Sequence, residues 1–176
     1  MRRSTIDSNN QVLTPDERRK RTFDRAIKLI SAKSRSVAEL RERLLASRMA
    51  NKADVETVIE RLKEYGYLND ERFAFSYASL KVKQRPIGKR RMERDLKFKK
   101  VDSTVAEEAL ELVYAETPEE ELIDRAIEKR TRVKGRPKNR LEAKGLFDHL
   151  LRQGFPFELV SEKVRATTRT DLEEEL

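Results

Sequence analysis

The sequence predicts an all-α chain of three tandem three-helix, helix-turn-helix-like repeats, arranged as an elongated, curved array. Three observations lead there. Alternating β-branched runs, the mark of strands, are absent. Apolar residues recur at helical spacing behind capping residues. One leucine-to-apolar interval also returns along the chain: Leu44, Leu96 and Leu150 each lie five residues before Met49, Val101 and Phe155, at offsets of 52 and 54. A capped helix opening with Val55, Val105 or Leu159 follows each pair, so the repeating unit is three helices.

Residues 1–13 are polar and aperiodic and read as a disordered arm. Thr14 then caps a helix with Pro15 first and Asp16 and Glu17 in its opening turn, its apolar stripe being Phe23, Ala26, Ile27 and Ile30. Ser36 and Glu39 form a capping box for a helix burying Leu40, Leu44 and Leu45. Asp54 is expected to cap the next, whose Val55, Val58, Ile59 and Leu62 run up to a stop at Gly66. That completes a first repeat over 14–68.

The second repeat, 69–116, starts from an expected cap at Asp70. Pro86 and Gly88 punctuate it before a helix burying Met92 and Leu96. Asp102 or Ser103 caps its third helix, with Val105, Ala109, Leu112 and Val113 turned inward. A third repeat, 117–167, opens with "TPEEE", which echoes the earlier Thr-Pro-acidic start. Gly135 and Pro137 break its first helix, Leu146, Phe147 and Leu150 mark its second, and Gly154 and Pro156 precede its third. Residues 168–176 read as an acidic tail.

Composition narrows the function. Only 37% of the 176 residues are hydrophobic, which suits thin helical cores rather than a thick layered one. With no cysteine, thiol chemistry and disulfides are out, and no apolar run approaches the roughly 18 residues of a membrane span. The N-terminus lacks the apolar segment of a secretory signal, and a cytoplasmic location is expected. A single histidine, His149, cannot build a zinc site alone and reads as structural or surface. The one glycine of "IGKR" lacks phosphate-loop spacing, and the carboxylates fall at caps and on helix faces. No catalytic residue, metal ligand or cofactor is therefore assigned, and the chain is read as a non-enzyme.

The basic residues cluster. Leu80 to Val101 holds ten Lys or Arg against two acids, and Lys129 to Lys144 holds eight against one, within a formal net charge of +8. Arg90, Arg94 and Lys97 share a stripe opposite Met92 and Leu96, with Arg91 beside them and Lys81, Lys83 and Arg85 preceding. Lys129, Arg130, Arg132 and Lys134 carry the second cluster. Such rows suit phosphates along a nucleic-acid backbone or a carboxylate-lined groove. Phe98 is the one aromatic inside the first cluster, so base stacking is weakly represented.

Tyr65 to Tyr77, "YGYLNDERFAFSY", holds three of the four tyrosines and joins the first two repeats. Tyr67 and Phe73 are expected to be buried where those repeats meet. Tyr67, Leu68, Asn69, Asp70, Glu71, Arg72, Phe73 and Ala74, followed by Arg85, Gly88, Arg91 and Leu96, resemble the signature of the RecX regulatory proteins, bacterial modulators of the RecA recombinase. The resemblance covers roughly residues 20–166. Two departures stand out: Asn69 replaces the first of the family's paired aspartates, and Arg48 and Lys100 stand where the family often has the turn glycine that only Gly154 keeps. The resemblance implies a monomeric regulator without cofactors, lying in the groove of the RecA nucleoprotein filament and contacting single- or double-stranded DNA backbone. It implies modulation, usually inhibition, of RecA's recombinase, ATPase and coprotease activities, and so a role in recombination, DNA repair and the SOS response. A helix-turn-helix regulator acting on duplex DNA alone, or a structural adaptor, would share the helical pattern.

Overall fold

The structure, a computed structural model, describes residues 14–47 and 50–173, with side chains placed through residue 168. The arm expected over 1–13, the turn positions Arg48 and Met49, and the end of the acidic tail lie outside the described residues. The described residues form nine helices and no strand: α1 (Pro15–Ala32), α2 (Val37–Leu45), α3 (Lys52–Glu64), α4 (Asp70–Gln84), α5 (Lys89–Phe98), α6 (Ser103–Glu116), α7 (Glu119–Lys134), α8 (Arg140–Gln153) and α9 (Phe157–Glu173). The chain divides into two compact units, Met1–Leu68 with α1 to α3 and Asn69–Leu176 with α4 to α9. The second and third expected repeats thus share one unit. Helix α9 also runs into the segment read as a tail.

In the first unit Thr14 and Glu17 form a reciprocal capping box and Ser36 caps α2. The core is Ala26, Leu40, Leu44, Val55, Val58, Ile59, Leu62 and Leu68, with Phe23, Ile27 and Ile30 packed at its edge. Leu45, expected inside, is exposed, because α2 turns only Val37, Leu40 and Leu44 inward. Asp54 is not the cap of α3. Asn51 is, accepting the Asp54 N–H at 2.8 Å. This frees the buried Asp54 carboxylate to accept from Arg18 Nε at 3.1 Å, tying α3 to α1. Helix α3 is followed by a turn through Gly66, φ +70°, with the Tyr67 N–H donating to the Leu62 carbonyl at 2.9 Å.

The second unit has one continuous core, from Phe73, Ala74 and Val82 through Met92, Leu96 and Leu110 to Leu122, Ile123, Leu150 and Phe155. Asn69, not Asp70, caps α4: its side chain accepts the Arg72 N–H at 2.6 Å, which leaves Asp70 in the first turn. Helix α6 is capped by Asp102 and buries Ala106, Ala109, Leu110 and Val113. Its buried face is rotated by about one residue from the expected one, so Leu112 is exposed. Phe73 lies in this core, stacked on Tyr77 with ring centroids 5.9 Å apart. Tyr67, expected to be buried with it, is 58% exposed and sets its edge against Tyr65. The turn after Leu96 recurs after Leu150, as the interval predicts. Val101 N–H donates to the Leu96 carbonyl at 3.2 Å and Phe155 N–H to that of Leu150 at 3.4 Å, with Lys100 (φ 57°) and Gly154 (φ 93°) in the positive-φ position.

Two glycines join the second helix triplet to the third. The Gly88 N–H donates to the Gln153 carbonyl at 3.0 Å, and a methyl at Gly88 would overlap the Gly154 carbonyl group and the Phe155 nitrogen. A methyl at Gly154 would likewise overlap Arg91. Gly88 is also the N-cap of α5 and offers no capping side chain. The missing acceptor comes from the start of α7, where Glu119 Oε1 accepts the Lys89 N–H at 2.7 Å. "TPEEE" therefore does not repeat the Thr14 cap: Pro118 is the N-cap of α7, without a side-chain bond, while Thr117 ends α6. Tyr114, whose hydroxyl is held protonated by burial, donates to the Ile87 carbonyl at 2.8 Å and closes the same corner.

Gly88→Ala is expected to lower stability by about 1–3 kcal/mol, since backbone must move to admit the methyl. Gly145→Ala, at a helical position with open space around its missing Cβ, should instead be neutral or gain about 0.5–1 kcal/mol. Phe73→Ala should cost about 3–5 kcal/mol as a buried aromatic truncation. Denaturant midpoints measured side by side check all three.

A candidate anion-binding cleft

The glycine contact places the end of α4 and the start of α5 beside α7 and α8. Between them opens a cleft of about 390 Å³ lined by Arg85, Pro86, Ile87, Arg91, Ala126, Lys129, Arg130, Val133, Lys134, His149 and Gln153. Five of these are cations, two from the first basic cluster and three from the second. Segments well separated in sequence therefore meet on one concave surface.

Each cation is held by an identifiable element. Arg85 is the C-cap of α4, on extended backbone that aims it out of the helix line. Arg91 sits in the first turn of α5 and donates from Nη1 to Gln153 Oε1 at 2.8 Å. Arg130 reaches across to α8, donating from Nη2 to the Gly145 carbonyl at 3.3 Å. Lys129, Arg130 and Lys134 lie near the C-terminal end of α7, where the helix dipole favours cations. Among the described residues none of the five forms a salt bridge, and no acidic side chain lines the cleft. Elsewhere carboxylates are used freely, as in Arg132–Glu128 at 2.7 Å and Lys163–Asp124 at 2.7 Å.

His149 reports the field in the cleft. Its pKa is pushed below the ordinary 6.5, first by burial and then by the positive charges of Arg130, Arg152, Lys134 and Arg91. The imidazole is therefore neutral at pH 7 and presents one N–H donor and one acceptor. Cations, a neutral imidazole, the Gln153 amide and an apolar wall of Pro86, Ile87, Ala126 and Val133 can hold a phosphate or carboxylate without proton transfer. Among the described residues no group of three or more His, Cys, Asp or Glu could hold a metal ion. No described helix is long and apolar enough to cross a membrane.

The other expected binding residues do not line the cleft. Arg90, Arg94 and Lys97 are exposed on α5, opposite the buried Met92 and Leu96. Lys83 is exposed, and Lys81 holds Nζ 5.5 Å from the Tyr77 ring centroid. Arg132 is taken up by Glu128. Among the signature residues, Leu68 lies in the first unit's core, Arg72 is exposed, and Gly88 makes the contact that shapes the cleft. Gln153 and His149 line the cleft and Glu119 braces the adjoining corner, and the sequence singles out none of the three as a binding residue. Nothing local marks Gln153 or Glu119, and only the Leu150–Phe155 turn places Gln153 near a repeat boundary.

Because His149 is the single histidine, its ring protons report on the cleft without assignment ambiguity. An anion there offsets the surrounding positive charge, so the His149 pKa should rise towards 6.5 in inorganic phosphate relative to chloride at matched ionic strength. A proton NMR titration checks this. An Arg130→Ala/Lys134→Ala variant should start from a higher pKa and lose the phosphate dependence.

Comparison with known proteins adds the family context. A family model described as the second three-helix domain of RecX matches residues 69–110. The regulatory protein RecX of Bacillus licheniformis is 29% identical over 148 residues, covering 84% of this chain and 56% of that protein. The protein of the same name from Treponema pallidum (strain Nichols) is 36% identical over 104 residues, covering 59% of this chain and 63% of its own length. This chain thus spans little more than half the length of its Bacillus relative. The crystal structure of RecX from Lactobacillus salivarius superposes with a TM-score of 0.75 at 19% identity, over 88% of this chain and 99% of that one. A second crystal structure of a regulatory protein RecX gives a TM-score of 0.73 at 18% identity, over 86% and 73%. At those identities the likeness is one of fold.

Proposed function

The chain belongs to the RecX family, and from that membership we propose that it is a non-enzymatic regulator that binds the RecA–DNA filament and restrains RecA. One observation carries the reading: five cations without salt-bridge partners among the described residues converge on a cleft that no carboxylate lines. Such a surface is unfavourable for the isolated chain and becomes favourable against a polyanion. The relatives bear the name of a regulatory protein, and the motif at Tyr67 to Ala74 resembles the family's signature. Within this proposal the cleft holds a backbone phosphate or a RecA carboxylate. The exposed stripe of Arg90, Arg94 and Lys97 extends the contact, and the protein acts as a cytoplasmic monomer in DNA repair, recombination and the SOS response.

The test is RecA-dependent ATP hydrolysis on single-stranded DNA against increasing amounts of the protein. Parent protein should lower the rate. Arg85→Ala/Lys129→Ala/Lys134→Ala should do so only at higher concentration. The three substitutions remove exposed charges and should leave stability within about 0.5 kcal/mol. If the cleft meets phosphates, the log–log salt slope of DNA binding should fall by roughly 2–3 at about 0.7–0.9 per contact. If it meets RecA carboxylates, free-DNA binding should stay and filament binding should weaken. Parent protein that leaves RecA unaffected at every concentration would overturn the reading, and a duplex-only preference would replace it.

A further inference from the structure

Phe98 stands apart from every other aromatic in the chain. It is the last residue of α5 and 81% exposed, the most exposed of the large hydrophobic side chains described. The internal repeats supply a control for whether the fold needs it. Counting two residues past Leu44, Leu96 and Leu150, the equivalent positions are Ala46, Phe98 and Arg152. Ala46 and Arg152 are also exposed, so a methyl group or a cation serves this turn equally well. An aromatic ring here adds nothing to the core and costs solubility.

Its surroundings are specific. Arg94 lies one turn back on the same face, and Lys97, Lys99 and Lys100 flank the ring, with Asp95 the one acid between 94 and 101. The turn is fixed by backbone. Lys100 N–H donates to the Lys97 carbonyl at 2.9 Å and Val101 N–H to that of Leu96 at 3.2 Å, while Val101 is buried beneath. Lys100 is also the only described non-glycine residue with positive φ, at 57°. The third repeat fills that position with Gly154, the residue that adopts it without strain. A lysine kept in a strained position beside an exposed ring, in a row of cations, departs from what folding alone selects.

We infer that Phe98 is a stacking platform for an unpaired base of single-stranded nucleic acid, with Arg94, Lys97, Lys99 and Lys100 contacting the phosphates on either side. A flat π-face binds any base, and the cations follow the backbone, so binding is tolerant of sequence and requires bases that are not paired. Phosphate contact alone would need no ring, and duplex DNA offers none of its base faces to Phe98. The site stands apart from the cleft and requires no RecA.

The chain has no tryptophan, so Phe98→Trp installs a single tryptophan at the site, excited selectively over the four tyrosines at the red edge of its absorption. Its emission should be quenched by oligothymidylate and not by an abasic oligomer of equal length or by blunt duplex DNA. Phe98→Ala and Phe98→Leu should both weaken oligothymidylate binding about 5- to 150-fold, the range of one lost base stack. Both should leave the salt slope and melting temperature unchanged. Arg94→Ala/Lys97→Ala should lower the slope. Equal quenching by the abasic oligomer, or oligothymidylate binding by Phe98→Ala that matches the parent, would overturn the inference. If Phe98→Ala binds oligothymidylate normally and loses only filament binding, the ring meets protein instead. The cleft variants are read separately, so failure here leaves the regulatory proposal standing.

Discussion

The second unit depends on one close approach of backbone to backbone, between Gly88 at the start of α5 and Gly154 at the end of α8. No side chain fits at either position, and the Gly88 N–H bond to Gln153 fixes the register of the contact. The contact has consequences for three neighbours. A glycine cap leaves the start of α5 without its own acceptor, and Glu119 supplies one from α7. Burial raises the Glu119 pKa while the Lys89 N–H lowers it, so the carboxylate is half-desolvated and held by the bond it makes. Tyr114 closes the corner on the Ile87 carbonyl, and Arg91 is drawn onto Gln153. The second and third helix triplets are thereby one packed body.

The same contact concentrates charge. Helix α5 begins with Lys89, Arg90 and Arg91 and has no acid in its first turn, against the preference of a helix N-terminus. Helix α7 carries its cations at the end its dipole favours. Bringing these two ends together places Arg85 and Arg91 opposite Lys129, Arg130 and Lys134 across a concave surface. Repulsion among exposed cations is moderated by water and salt, so the fold tolerates the arrangement. It does not gain from it. His149 is kept neutral first by burial and then by the same positive charges.

Much of this organisation is legible in the chain. The 3.6-residue periodicity and the capping residues locate the helices, and the 52- and 54-residue offsets locate the turns after Leu96 and Leu150. The sequence is ambiguous where two neighbours offer the same chemistry. Asn51 and Asp54, or Asn69 and Asp70, can each cap a helix, and the choice turned on which side chain was needed elsewhere or lay one residue earlier. The buried face of α6 lies about one residue from the expected one because Val105, Leu110 and Leu112 are all apolar and spacing alone does not separate them. Tyr67 and Phe73 are close in sequence, yet they make different ring contacts, Tyr67 with Tyr65 and Phe73 with Tyr77.

By itself, then, the sequence determined the helical class, the repeat and the two basic clusters, because each is a property of local spacing and composition. Tertiary structure decided that Arg85 and Arg91 would share a cleft with Lys129, Arg130 and Lys134, leaving Arg90, Arg94 and Lys97 on another face. It also decided that Gln153 and Glu119 would support that corner. The physical reason is that helical periodicity assigns residues to faces within about ten residues. The side chains that meet across more than sixty, as Arg91 and Gln153 do, are set by which backbones can approach without a Cβ between them.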